Sequence, residues 1–84
     1  MTIEVFILPY SVPCERLIHE LKRFQLNFPD IKLDFFNVLD HPEYARVKRI
    51  KTIPTIVVKQ DKSEIIRIEK WISYEDLIDK IKIS

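Results

Sequence analysis

The chain has a single cysteine, Cys14, set in the stretch Tyr10-Ser11-Val12-Pro13-Cys14. A thiol reacts as its thiolate, and the unpaired amides of a helix N-terminus favour that form. The spacing supplies such a terminus. Pro13 suits a first helical turn, where its missing N–H costs nothing. Ser11, three residues before Cys14, is a natural N-cap. Two readings of Cys14 stand side by side: a reactive thiol, or a small buried hydrophobe. With one cysteine there is no internal disulfide, which agrees with a reducing compartment.

A second stretch with chemical content is Thr52-Ile53-Pro54-Thr55. An X-Pro bond is the one place where a cis peptide is cheap, so Pro54 is either a geometric device or an ordinary strand-start proline. Lys70-Trp71 precedes the last periodic segment, and Trp71 is either a packing residue or a binding platform. Arg46, Lys48, Arg49 and Lys51 form a basic group just before the proline stretch; such a group is usually a solvated face but can steer an acidic partner. His19 and His41 fall at solvated positions, and no residues show metal-ligand spacing, so neither a metal nor another cofactor is expected.

The elements that must position these residues are legible in order. Thr2 to Leu8 is β-rich and nearly all apolar after Glu4, the pattern of a central strand buried on both faces. From about Ser11 to Asn27 a helix carries Cys14, Leu17, Ile18, Leu21 and Phe24 on one side. Ile31 to Val38 is a second strand, alternating through Ile31, Leu33 and Phe35, and the helical crossover makes it parallel to the first. Asp40 as N-cap, Pro42 and Glu43 start a short helix to about Arg49, with Tyr44, Val47 and Ile50 as its apolar stripe. Thr55 to Lys59 and Glu64 to Glu69 are strands joined by the turn Gln60–Ser63 and hence antiparallel. Ser73 caps a last helix with the stripe Tyr74, Leu77, Ile78, Ile81. The order β-α-β-α-β-β-α predicts an α/β fold, a four-stranded mixed sheet packed with three helices.

Composition narrows the function classes. The 84 residues, with no linker or repeat, predict one domain over 1–84. A hydrophobic content of 46% is enough for one modest core. Fourteen basic against 13 acidic residues, net +1, speak against a nucleic acid or a membrane bound mainly through charge. No run has the length and apolarity of a membrane span or the pattern of a signal peptide, so the expected location is cytoplasmic. The absence of glycine excludes glycine-cradled phosphate loops. It also requires that any turn needing positive φ use another residue.

Taken together, the element order, the loop Ser11-Val12-Pro13-Cys14 after the first strand and Thr52-Ile53-Pro54-Thr55 at the start of the third resemble the thioredoxin superfamily, in particular its minimal glutaredoxin-sized members. The resemblance spans essentially the whole chain and implies a thioredoxin-like fold. It implies that Ser11 stands where the family has its attacking cysteine and Cys14 where it has the resolving one. It further implies that Pro54 is a cis-proline, that Thr52 and Ile53 offer backbone to a substrate, and that Tyr10 and Trp71 border the substrate surface. The activity implied is thiol–disulfide exchange on a disulfide-containing protein or with a reductase. A serine cannot make the first attack, so little dithiol turnover is expected unless position 11 is cysteine. Either natural divergence or an introduced change would put serine there. The acid that thioredoxins bury under their site has no counterpart in Val5-Phe6-Ile7, and the glycines with which glutaredoxins hold glutathione are absent, which disfavours glutathione as a partner. The alternative is a redox-silent module that binds a protein partner through the proline groove.

Overall fold

The computed structural model describes residues 1–83. These form β1 (Thr2–Ile7), α1 (Val12–Asn27), β2 (Lys32–Asn37), α2 (Pro42–Val47), β3 (Thr55–Gln60), β4 (Ser63–Ile68) and α3 (Tyr74–Ile83), the order read from the sequence. The four strands make one sheet in the order β2-β1-β3-β4. β1 and β2 pair in parallel across the α1 crossover. β1 and β3 are antiparallel, as are β3 and β4, so the sheet is mixed. The β3–β4 turn places Asp61 at φ 59°, a left-handed position that Asp tolerates better than most residues.

The two faces of β1 build two layers. Ile3 and Val5 are fully buried with Leu17, Leu21 and Phe24 of α1, Ile56 and Val58 of β3, Ile68 of β4, and Ile72 and Leu77 around α3. Burying side chains of this kind is worth about 1.5–3 kcal/mol each, so this layer carries most of the fold's driving force. Glu4 and Phe6 point to the opposite face. There Phe6 stacks on Phe36 at 5.4 Å and on Tyr44 at 5.8 Å. α2 closes this second layer through Tyr44, which also lies 4.9 Å from Phe36.

Three local expectations need correction. α2 ends at Val47 rather than near Arg49, and its N-cap is His41, with no side-chain cap bond, rather than Asp40. The reason is a turn that starts earlier. The Asn37 side chain accepts from the Leu39 amide at 2.9 Å, and the Asn37 carbonyl accepts from the Asp40 and His41 amides at 3.0 Å. Asp40 is thereby held within that turn. Val47 is 73% exposed, so the apolar stripe of this short helix reduces to Tyr44 and the half-buried Ala45. Phe36, where the alternation of β2 breaks, proves to be the strand's contribution to the second layer.

Candidate functional site

Sheet register brings four connecting segments to one edge. Phe6 pairs with Thr55, Ile7 with Asn37, and Ile56 with Ile68. The segments after β1, after β2, before β3 and after β4 therefore leave the sheet at the same end. The Thr52 hydroxyl lies 3.2 Å from the Glu69 carbonyl and donates to it, joining the segment before β3 to the segment after β4. The Thr55 hydroxyl donates back to the Thr52 carbonyl at 2.6 Å, closing the proline segment on itself.

The loop after β1 follows the sequence reading closely. Ser11 is the N-cap of α1 at φ −96° and ψ 121°. Its Oγ accepts from the Cys14 amide at 3.4 Å, while its carbonyl accepts from the Glu15 amide at 2.9 Å. Pro13 sits in the first turn. Cys14 is only 1% exposed, so its side chain packs inward beneath the cap. Tyr10 takes φ 61° and is 97% exposed, and Val12 beside it is exposed too. A tyrosine in the left-handed region costs about 1–2 kcal/mol relative to ordinary backbone. With no glycine in the chain, that cost is carried at Tyr10, Arg49 and Asp61.

The Ile53–Pro54 peptide bond is cis. Pro54 is buried, Ile53 half-buried and Thr52 exposed, so the segment passes from interior to surface within three residues. Trp71 lies on the rim after β4 and is 36% exposed. The Arg16 guanidinium covers its ring at 5.2 Å. Trp71 thus packs against Arg16 on one side and is open on the other. An open groove of about 460 Å³ runs beside it, lined by Glu15, Arg16, His19 and Glu20. Beneath this groove the Glu20 carboxylate accepts from the Tyr74 amide at 3.1 Å and from Arg23 at 3.0 Å. That amide first, and Arg23 second, hold the Glu20 carboxyl below the usual range. Glu20 thereby ties α1 to the first turn of α3, whose cap is the Ser73 hydroxyl accepting from the Asp76 amide at 3.2 Å.

Two groups escaped sequence reasoning. No acid occurs in Val5-Phe6-Ile7, yet Glu4 one residue earlier is 4% exposed on the α2 side of the sheet. Its Oε2 accepts from the Tyr44 hydroxyl at 2.5 Å and lies 3.7 Å from the Lys59 ammonium; Oε1 has no partner among the described residues. Burial chiefly, and then the Glu4 carboxylate, push the Tyr44 phenol well above its usual pKa. The signal was present: Glu4 shares strand parity with the buried Phe6. The second is Arg67. It grips Glu64 through two 2.9 Å bonds and donates to the carbonyls of Lys48 at 2.8 Å and Arg49 at 3.3 Å. It so fixes the chain leading into the proline segment. Among the described residues no cluster of His, Cys, Asp and Glu could hold a metal ion. Nor is any helix there long and apolar enough to cross a membrane.

A helix that starts on a capped Cys loop after a central strand, and a cis-proline opening the antiparallel neighbour of that strand, define the thioredoxin fold. No family model matches the chain. Comparison with solved structures gives malaria-parasite thioredoxin-2 at a TM-score of 0.94 and 24% identity, covering 99% of this chain and 82% of that one. It also gives thioredoxin 1 of Thermosipho africanus at a TM-score of 0.87 and 26% identity, covering 99% and 92%. In sequence the chain is 28% identical over 74 residues to the thioredoxin-like protein YdfQ of Bacillus subtilis, covering 88% of this chain and 66% of that relative's length. The chain thus has the thioredoxin fold and is similar in sequence to a thioredoxin-like protein, and both likenesses support a thioredoxin-type function.

Proposed function

We propose that the chain is a thiol–disulfide exchange module in which Ser11 occupies the position of the attacking thiol and Cys14 that of the resolving thiol. The observation that carries this reading is the hydrogen bond from the Cys14 amide to Ser11 Oγ at 3.4 Å. It sets position 11 at the open end of α1, within one turn of a buried sulfur. With cysteine at position 11, its thiolate would attack a substrate disulfide, break the S–S bond and release one substrate thiol, leaving a mixed disulfide. The Cys14 thiolate would then attack the position-11 sulfur, release the second substrate thiol and leave the module oxidised by two electrons. A dithiol reductant returns it to the starting state. Thr52 and Ile53 would hold the substrate's extended backbone, and Tyr10 and Trp71 would flank it.

The test is to make Ser11→Cys and assay dithiothreitol-driven reduction of a protein disulfide. Turnover that appears in Ser11→Cys and vanishes in Ser11→Cys with Cys14→Ala is the expected result. Absence of turnover in a folded Ser11→Cys variant would overturn it.

A second reading rests on the burial of Cys14 at 1% exposure, with Ser11 Oγ engaged as a cap. In the chain as it stands, no thiol is exposed in this loop, so the module would bind a protein partner through the proline groove without redox chemistry. Capture of a partner that survives Cys14→Ala supports this reading, and capture lost in that variant opposes it. Glutathione is not part of either reading.

A further inference from the structure

Basic side chains at the end of a helix usually need no functional explanation, because they satisfy its last carbonyls and complement its dipole. At the end of α2 the backbone does this: the amides of Lys48, Ile50 and Arg49 donate to the carbonyls of Tyr44, Ala45 and Arg46, and the next carbonyls are met from another strand. The carbonyls of Lys48 and Arg49 are taken by the Arg67 guanidinium, reaching over from β4. Arg46 pairs with Glu43 at 2.6 Å, and Lys48 lies over the Tyr44 ring at 5.6 Å. Arg49 and Lys51 are left exposed, and among the described residues neither side chain has an ion-pair partner.

Charge is also unevenly placed. The net charge is +1 for the chain, yet Arg46, Lys48, Arg49 and Lys51 lie in a segment with no acid, while acidic residues outnumber basic ones elsewhere. This basic pole leads directly into Thr52 and the cis Ile53–Pro54 bond. It is held in place, since Arg67 fixes its backbone and Arg49 is locked at φ 57°. The fixed backbone presents the two unpaired cations at one place beside the proline segment, where they can meet an opposite charge.

We propose that Arg49 and Lys51, with Lys48 behind them, form a docking surface for an acidic polypeptide segment that runs along the exposed Thr52 and half-buried Ile53 of the proline segment. The occupant is argued from charge complementarity: the cations are few and clustered at one end, which suits carboxylates flanking an apolar residue rather than the long phosphate track of a nucleic acid. This names the partner class for the proline segment of the proposed function and rests on that reading only for where the partner lies.

The experiment is fluorescence anisotropy with a labelled glutamate-rich peptide centred on a leucine, its glutamine counterpart, and a single-stranded RNA of equal charge. The protein keeps Ser11, so binding is read without turnover, and a failed Ser11→Cys activity assay leaves the outcome intact. Expected is binding of the acidic peptide that weakens about tenfold in the Arg49→Asn, Lys51→Glu double variant, as for removal of facing charges. Arg49→Asn is chosen because Asn tolerates the left-handed backbone. Lys62→Glu, exposed at the opposite end of the sheet, should leave binding unchanged. In the unaltered protein, affinity should fall as salt rises from about 10 mM to about 150 mM, where the screening length shrinks from ~30 to ~8 Å. The proposal is overturned if the acidic peptide does not bind, if the glutamine peptide binds as well, if the double variant binds undiminished, or if RNA binds more tightly.

Discussion

The Tyr44 hydroxyl donates to the Glu4 carboxylate at 2.5 Å, across 40 residues of sequence. This bond ties α2 to the central strand and gives a buried charge its closest partner. Removing it leaves the carboxylate with Lys59 alone at 3.7 Å. Tyr44→Phe is therefore expected to destabilise the fold by about 1–3 kcal/mol, the cost of an unsatisfied buried acceptor. Chemical denaturation checks this through a lower midpoint at unchanged slope.

The same pair makes stability depend on alkaline pH. The Tyr44 pKa is raised in the folded state above the unfolded value of about 10. Its contribution is thus fully present below about pH 10 and is lost as pH rises beyond it. Tyr44→Phe should flatten that alkaline limb in thermal melts; an unchanged limb would count against the coupling.

At the acid end the carboxyls of Glu20 and Glu64 are both held low, by the Tyr74 amide and by Arg67 respectively. A depressed carboxyl contributes stability above its unfolded pKa of about 4.3, and that contribution fades as pH falls below it. Glu20→Gln is expected to lower stability at pH 7 and to narrow the difference from the parent toward pH 3. Melting temperature measured across that range tests the sign.

Ser11 is a cap whatever else it does. Ser11→Ala is expected to cost about 1 kcal/mol, or a fall of roughly 4–8 °C in melting temperature for a domain of this size. Calorimetry reads it directly. A neutral Ser11→Ala would mean that the 3.4 Å contact with the Cys14 amide contributes nothing.

Tyr10 is held at φ 61° with its ring in solvent. Tyr10→Gly is expected to raise stability by roughly 0.5–1 kcal/mol, the left-handed penalty relieved less the added chain entropy of glycine. If the ring flanks the substrate, the Ser11→Cys background should at the same time show a higher KM with little change in kcat.

Local chemistry explains what could be read in advance. A period of 3.6 marks α1 and α3 and an apolar run marks β1, because these elements bury one face or both. Ser11 and Pro13 announce the α1 terminus, and Ser73 announces that of α3, because a cap is a contact made within four residues. The proline segment was legible only beside the loop after β1, since neither carries meaning alone. The cap of α2 was misplaced because Asn37, outside the apparent helix start, captured the turn first.

By itself, then, the sequence determined the element order, the capped cysteine loop and the all-nonglycine turns, each a matter of neighbours along the chain. Tertiary structure decided the strand order β2-β1-β3-β4, the burial of Glu4 against Tyr44 and Lys59, the cover of Arg16 over Trp71, and the grip of Arg67 on the end of α2. Each of these joins residues whose separation along the chain is long and whose meeting depends on how sheet and helices stack, and no local pattern encodes that distance.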